Sequence, residues 1–263
     1  MDNLFLIQVL LSFFIAGSWI AFSSLVAERL GIRIGGLIAN LPANLMISLL
    51  FVTFVRDVEY VADAVLAVPT GLVVVTVFLL VFILTIRLGL LMASCLSLLV
   101  WFSIAHLLSQ APRVDLLASI GLYLGFVALA MIALDRVLVV DGVKVIRKDY
   151  SRQQIIGRAV FSGSIVAAVV IVARFSPPNY TGILATFPAM LFSTLFILAR
   201  NQGPEFVRSV GKVLTLTTTN LLIYALAVYF TYPQFGVVIG TLISYLASVV
   251  WVLLLFPLVK RLA

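Results

Sequence analysis

Apolar runs of 18 or more residues follow one another along the chain, broken by short basic or turn-forming segments. Nine helices are predicted, over roughly residues 4–26, 34–55, 62–86, 88–109, 115–135, 155–174, 180–199, 208–230 and 235–258. Each is long enough to cross a hydrocarbon core of ~30 Å, so they are numbered here as spans one to nine. Span one resembles a secretory leader, but no basic segment precedes it. Its counterpart, span six, lies in mid-chain where nothing can be cleaved, so span one is expected to stay.

The pattern also repeats. Residues 8–61 align without a gap on residues 154–207 at a constant offset of 146, with 14 identities in 54 positions. The clearest stretch is Gly36–Leu50 against Gly182–Phe196. There Gly36/Gly182, Ala39/Ala185, Pro42/Pro188, Ala43/Ala189, Leu45/Leu191 and Leu49/Leu195 coincide. Gly17-Ser18 recurs as Gly163-Ser164, Gln8 as Gln154 and Glu59 as Glu205. Composition alone does not keep glycine, proline and glutamate in register. Span four matches span nine at an offset of 150, through Ser94/Ser244, Val100/Val250 and Trp101/Trp251. The chain therefore divides into repeat one (residues 1–112, four spans), a linker span with a basic loop (113–152) and repeat two (153–263, four spans).

Charge orients the spans. With nine crossings, one side holds Arg29, Arg33, Arg87, Arg136, Lys144, Arg147, Lys148, Arg152, Arg158, Arg200, Arg208, Lys212, Lys260 and Arg261. The other side holds Arg56, Arg113 and Arg174. This asymmetry puts the N-terminus outside and the C-terminus in the cytoplasm of a multi-pass cell-membrane protein. Span one then runs inward and span six outward. The expected fold is all-α and polytopic, with two inverted four-helix repeats related by an in-plane pseudo-two-fold axis.

Composition agrees: 63% of the 263 residues are hydrophobic and 10% charged. The net charge of +7 belongs to the loops, which argues against nucleic acid as a partner. The single cysteine, Cys95, and the single histidine, His106, provide neither a disulfide nor a metal site, and no cofactor is expected. No catalytic signature occurs, so an enzyme is not expected. No carboxylate falls in the middle of any span, which disfavours a carboxylate-driven proton antiporter.

The candidate site follows from the paired prolines. Pro42 and Pro188 each lie about 8 residues into their span, or ~12 Å along a helix. A proline there removes an N–H and frees carbonyls at Ile38 and Leu184, which Asn40, Asn44 and Thr186 could satisfy. A packing kink eased by small neighbouring residues is the alternative. A second pair of breaks is expected where Pro69-Thr70-Gly71 aligns with Thr219-Asn220-Leu221. The substrate-binding candidates are Asn40, Pro42, Asn44, Thr70, Thr186, Pro188, Thr219 and Asn220. Arg158 and Lys212 either snorkel to headgroups or form an anion-attracting inner vestibule. Gly121-x-x-x-Gly125 and Gly236-x-x-x-Gly240 offer close-packing seams, internal or at a homodimer face.

Repeat two resembles the GlpM-like family of small four-helix bacterial membrane proteins. The resemblance rests on Arg158, Asn179-Tyr180-Thr181-Gly182-Ile183, Phe187-Pro188, Glu205, Ser244 and Trp251, and spans roughly 153–258. Repeat one is a more diverged copy, with Ser12 at the Arg158 position. The resemblance implies a fold and an ancestry by fusion of a four-helix subunit, and no substrate.

Three functions compete. A transporter or facilitator for a small polar or amphiphilic solute predicts a polar cavity between the repeats. A membrane scaffold or assembly factor in envelope or lipid metabolism predicts a closed, dry interior. A lipid flippase needs polar residues on a lateral opening.

Overall fold

A computed structural model describes residues 3–29, 41–112, 114–137 and 151–262, without the side chains of 27–29 and 260–262. Helix α1 is Asn3–Arg29, α2 Ala43–Val55, α3 Val58–Val65, α4 Val68–Thr85, α5 Leu90–Gln110 and α6 Leu116–Ile132. Then come α7 (Arg152–Phe175), α8 (Pro178–Ala185), α9 (Ala189–Gln202), α10 (Pro204–Thr217) and α11 (Thr219–Leu262). A 3₁₀ turn (Ile86–Leu88) ends α4, and a π turn (Ala133–Val137) ends α6. Among the described residues there is no strand. Seven helical stretches are long and apolar enough to cross a membrane, and large side chains such as Leu91, Leu117 and Leu254 point outward. That inside-out surface is compatible with a multi-pass membrane protein.

Several boundaries differ from the sequence expectation. Span three is two helices, α3 and α4, because Pro69 sits in the first turn of α4 rather than kinking an interior. Span eight begins at Pro204, after Gly203 (φ 86°) turns the chain sharply out of α9. That places Glu205, Arg208 and Lys212 inside α10. The long α11 is interrupted at Gly236 (φ 73°, ψ 175°), a conformation that L side chains rarely adopt.

The most extensive packing joins α1 to α7. Phe5 stacks edge-on against Phe175, so the start of α1 meets the end of α7 and the two run antiparallel. Near their crossing, a Cβ on Gly17 would lie 3.1 Å from the Ala159 carbonyl oxygen. A Cβ on Gly163 would lie 2.6 Å from that of Phe13. Residues 17 and 163, and likewise 13 and 159, are 146 apart. The contact is thus reciprocal, as an isologous interface requires.

Elsewhere α4 is the central helix, packed on α5, α6 and α10 around Leu72, Phe78, Phe82, Trp101 and Tyr123. Polar contacts gather at the two ends of the bundle. One end carries Gln8 donating to the Phe54 carbonyl, Arg56 to that of Arg174, Tyr60 to that of Ser176, and Asn179 to that of Ser109. The other carries Glu205, which accepts from Arg87 (2.7 Å) and Arg208 (3.2 Å), and the Lys212–Asp135 ion pair.

Gly121 and Gly125 meet nothing among the described residues, so they make no seam with them. Gly240 does pack closely, with a Cβ there lying 2.7 Å from the Tyr232 ring. Among the charges used to orient the spans, Arg33, Arg113, Lys144, Arg147 and Lys148 lie outside the described residues.

Candidate functional site

The two prolines adopt one conformation. Pro42 has φ −79° and ψ 48°, and Pro188 has φ −79° and ψ 47°. In each case the following N–H turns back to the carbonyl before the proline: Ala43 to Leu41, and Ala189 to Phe187, both at 2.8 Å. These are inverse γ-turns, with ψ close to the +65° of the ideal form. Each proline carbonyl then accepts the first helical bond, from Met46 at 2.8 Å and from Phe192 at 2.7 Å. Proline therefore serves as the N-cap of a new helix, α2 or α9, where its missing N–H costs nothing.

Satisfaction of the freed carbonyls differs from expectation. The Leu184 carbonyl accepts from the Phe187 N–H at 3.0 Å, through a tightened last turn of α8. Thr186 donates its hydroxyl to Ile183 at 2.6 Å. Asn44 caps nothing: both polar atoms of its amide are buried and have no hydrogen-bond partner. Ile38 and Asn40 lie outside the described residues.

The two γ-turns meet at one cavity of about 60 Å³. Its lining includes Pro42, Asn44, Leu45, Thr186, Phe187, Pro188, Met190, Leu191, Thr217, Thr218 and Leu221. Four sequence candidates, Pro42, Asn44, Thr186 and Pro188, thus come together. The other described candidates do not line it. Thr70 is half-buried at the start of α4. Thr219 accepts a 3.0 Å bond from the Trp251 indole, and its own hydroxyl donates to Leu216. Asn220 is fully buried and engaged with its surroundings.

Thr217 and Thr218, absent from the candidate set, do line the cavity because the break falls at Thr218, just before Thr219-Asn220. The signal was the threonine run itself. Its hydroxyls mostly bond back one turn: Thr215 to Gly211, Thr217 to Leu214 and Thr218 to Thr215. Tyr123 also donates to Thr218 at 2.9 Å, tying α6 to the break.

Arg158 and Lys212 do not reach outward to headgroups. Both are buried, as is Arg208. Arg158 donates to Thr194 at 3.2 Å, and Thr194 donates to the carbonyl of Met190, a cavity residue, at 2.8 Å. The guanidinium is thereby held on the first turns of α9. At the equivalent position of α1, buried Ser12 bonds only to its own helix, at Val9. Among the described residues, every buried charged side chain is basic.

A larger recess of about 710 Å³ opens at the other end of the bundle, bordered by Asp57, Glu59, Tyr60, Asp63, Tyr229, Phe230, Pro233 and Gln234. Asp57, Glu59 and Asp63 stand at its rim. Asp57 accepts the Tyr60 N–H at 2.7 Å and caps α3.

The family model described as a protein of unknown function, DUF3147, matches residues 9–112. That match falls on repeat one, whereas the GlpM-like resemblance rests on repeat two. No curated protein matches the chain, and no solved structure does.

Proposed function

We propose that this protein is a membrane transporter or facilitator that moves a small polar solute by alternating access between two inverted four-helix repeats. The observation that carries this reading is the cavity lined by both γ-turns, with Asn44, whose buried amide has no hydrogen-bond partner, among its lining residues. Supporting it are the equal backbone angles at Pro42 and Pro188 and the reciprocal, antiparallel contact of α1 with α7. An antiparallel pair that is also isologous has its two-fold axis across the helices. In a membrane that axis lies in the plane, as inverted repeats require.

In this reading the chain crosses nine times. The break at Gly236 divides the stretch from Pro204 to Val259 into two crossings, and the apolar run 34–55, of which 34–40 lie outside the described residues, is the remaining one expected from the sequence. The N-terminus then lies outside and the C-terminus in the cytoplasm. The recess beside Asp57 and Asp63 is the outer vestibule. The GlpM-like resemblance supports ancestry by fusion. A cavity of about 60 Å³ holds a few waters or one small solute, which favours the polar over the amphiphilic alternative.

The same small volume favours, as second reading, a scaffold whose interior is closed. The test is uptake of candidate solutes into liposomes containing purified protein, beside protein-free liposomes. Solute-dependent uptake that Asn44→Leu abolishes supports transport. A well-folded protein with no uptake across charged and neutral solutes supports the scaffold.

A further inference from the structure

We infer that the ion pairs joining α4, α6 and α10 form a closed gate, and that the recess between α3 and α11 is the same gate standing open. The inference deepens the transport reading and rests on it for exchange between the two arrangements, though not for the correspondence of the two ends.

Both ends are built on one plan. Helix α10 starts at Pro204 behind Gly203, and Glu205 is its second residue. Helix α3 starts at Val58 behind Asp57, and Glu59 is its second residue. Glu205 meets Arg87, which lies in the 3₁₀ turn after α4, two residues before Gly89 (φ 121°, ψ 151°). Glu59 shares its recess with Gln234 of α11, two residues before Gly236 (φ 73°, ψ 175°). The two glutamates are 146 residues apart and the two glycines 147. Helix α4 packs on α10 at one end, and α3 on α11 at the other. Each glutamate thus stands beside the helix end of the other repeat, as an isologous arrangement requires.

The difference is in charge. Arg87 donates to both Glu205 oxygens, at 2.7 and 3.0 Å, and Arg208 donates to one of them at 3.2 Å. Lys212 pairs with Asp135. Arg208 and Lys212 are buried, so breaking their pairs is costly. Behind the pairs the helices close tightly, since a Cβ on Gly211 would lie 2.7 Å from the Ile83 side chain.

At the matching positions of the other end stand Gln234 for Arg87, Ala62 for Arg208 and Leu66 for Lys212. All three line the recess with Glu59, and no basic side chain among the described residues does so. Arg56 lies over the Tyr60 ring and donates to the Arg174 carbonyl instead. The opening of about 710 Å³ therefore falls where cationic side chains would otherwise meet the carboxylate. In a protein of two inverted halves, one end opens as the other closes. Three cations at one end, against three uncharged residues at the other, favour the state seen here.

Thiol accessibility in the purified full-length protein tests this, in a Cys95→Ala background with a water-soluble maleimide. Leu66→Cys reports on the recess and should label fast. Ile83→Cys reports on the space behind the ion pairs and should label slowly. Ala62→Arg with Gln234→Arg should slow labelling at position 66 by about tenfold or more, and adding Glu59→Gln should restore it. Glu205→Gln should speed labelling at position 83 by about the same factor. Should that variant fail to fold, Arg87→Gln removes only an exposed partner and should act in the same direction.

Uptake of chloride, methylammonium or urea into proteoliposomes separates the two readings. Accessibility that shifts as expected, with no uptake of any of the three, leaves the gate standing and removes the transport reading. Uptake with accessibility unchanged in every variant overturns the gate and leaves transport standing. Slow labelling at position 66 that persists after Glu59→Gln shows that bulk rather than ion pairing fills the recess, and likewise overturns the gate.

Discussion

Gly163→Ala probes the contact on which the two-fold relation depends. The added Cβ would sit 2.6 Å from the Phe13 carbonyl oxygen and 3.1 Å from the Phe13 ring. Real Cβ atoms essentially never approach within 3.0 Å, and ordinary contact begins at 3.4 Å. The α1–α7 pair must therefore open by 0.4–0.8 Å, the difference between those limits and 2.6 Å. A carbonyl within a helix cannot swing aside as a flexible side chain could. Overpacking of this kind costs about 1–3 kcal/mol, and alanine returns up to about 1 kcal/mol through helix propensity. The expected net loss is about 1–2 kcal/mol, or a fall of ~2–8 °C in Tm for a chain of this size. Gly17→Ala meets Ala159 at 3.1 Å and needs at most 0.3 Å of movement to reach 3.4 Å, so it should fall within about 0.5 kcal/mol of neutral. Because both contacts lie on one interface, the gap opened by the first substitution also clears the second. The double variant should then be less destabilised than the sum of the singles. The assay is thermal unfolding in detergent at a fixed scan rate, since such unfolding is commonly irreversible. A Gly163→Ala protein as stable as wild type, or singles that simply add, would refute the reciprocal contact.

In a Cys95→Ala background, Glu59→Cys should label with an impermeant maleimide from outside intact cells, and Arg200→Cys only after permeabilisation. Labelling of both from one side would end the nine-crossing topology. Gly121→Ala with Gly125→Ala should leave the monomer's Tm unchanged or raise it by helix propensity, since neither Cβ meets anything. A marked fall, accompanied by loss of a cross-linkable dimer, would show that this face pairs with a second copy. Asn220→Leu should lower stability by about 1–3 kcal/mol because the amide is buried and engaged. Asn44→Leu should leave stability unchanged or higher while abolishing activity, and the opposite ranking of the two would invalidate the site.

Much of the fold was legible in the sequence, for a physical reason. In a lipid solvent an unsatisfied backbone group is so costly that apolar runs resolve into helices. The 146-residue register carried further than the elements themselves. It anticipated that Pro42 and Pro188 would break the chain alike, and it paired Gly17 with Gly163, which the structure places in reciprocal contacts that the register did not foretell. The break expected at Pro69-Thr70-Gly71 is present just before it, with Pro69 in the first turn of α4, where proline is tolerated. What the sequence missed was local. The second break was placed at Thr219-Asn220 and falls at Thr218, which moved Asn220 off the cavity and Thr217 onto it. Spacing alone does not say which member of a threonine run turns inward, since each can satisfy itself on its own helix.

The two repeats agree in backbone and disagree in charge, and that division bears on how such a protein would work. Equal turns at Pro42 and Pro188 give two halves of similar energy, the condition for exchanging inward and outward states. Perfect symmetry would leave those states equally populated. Arg158 stands where the first repeat has Ser12, and it alone of this pair reaches across to the neighbouring half-helix, through Thr194. Arg87, Glu205 and Arg208, with Lys212 and Asp135, then tie α4, α6 and α10 together at one end. The Arg87–Glu205 pair is exposed on both sides and adds little, whereas Arg208 and Lys212 are buried and pair with part-exposed carboxylates, so the weight of the set falls on those two cations. In the transport reading, the repeated backbone would supply the two states and the unrepeated charges would select between them.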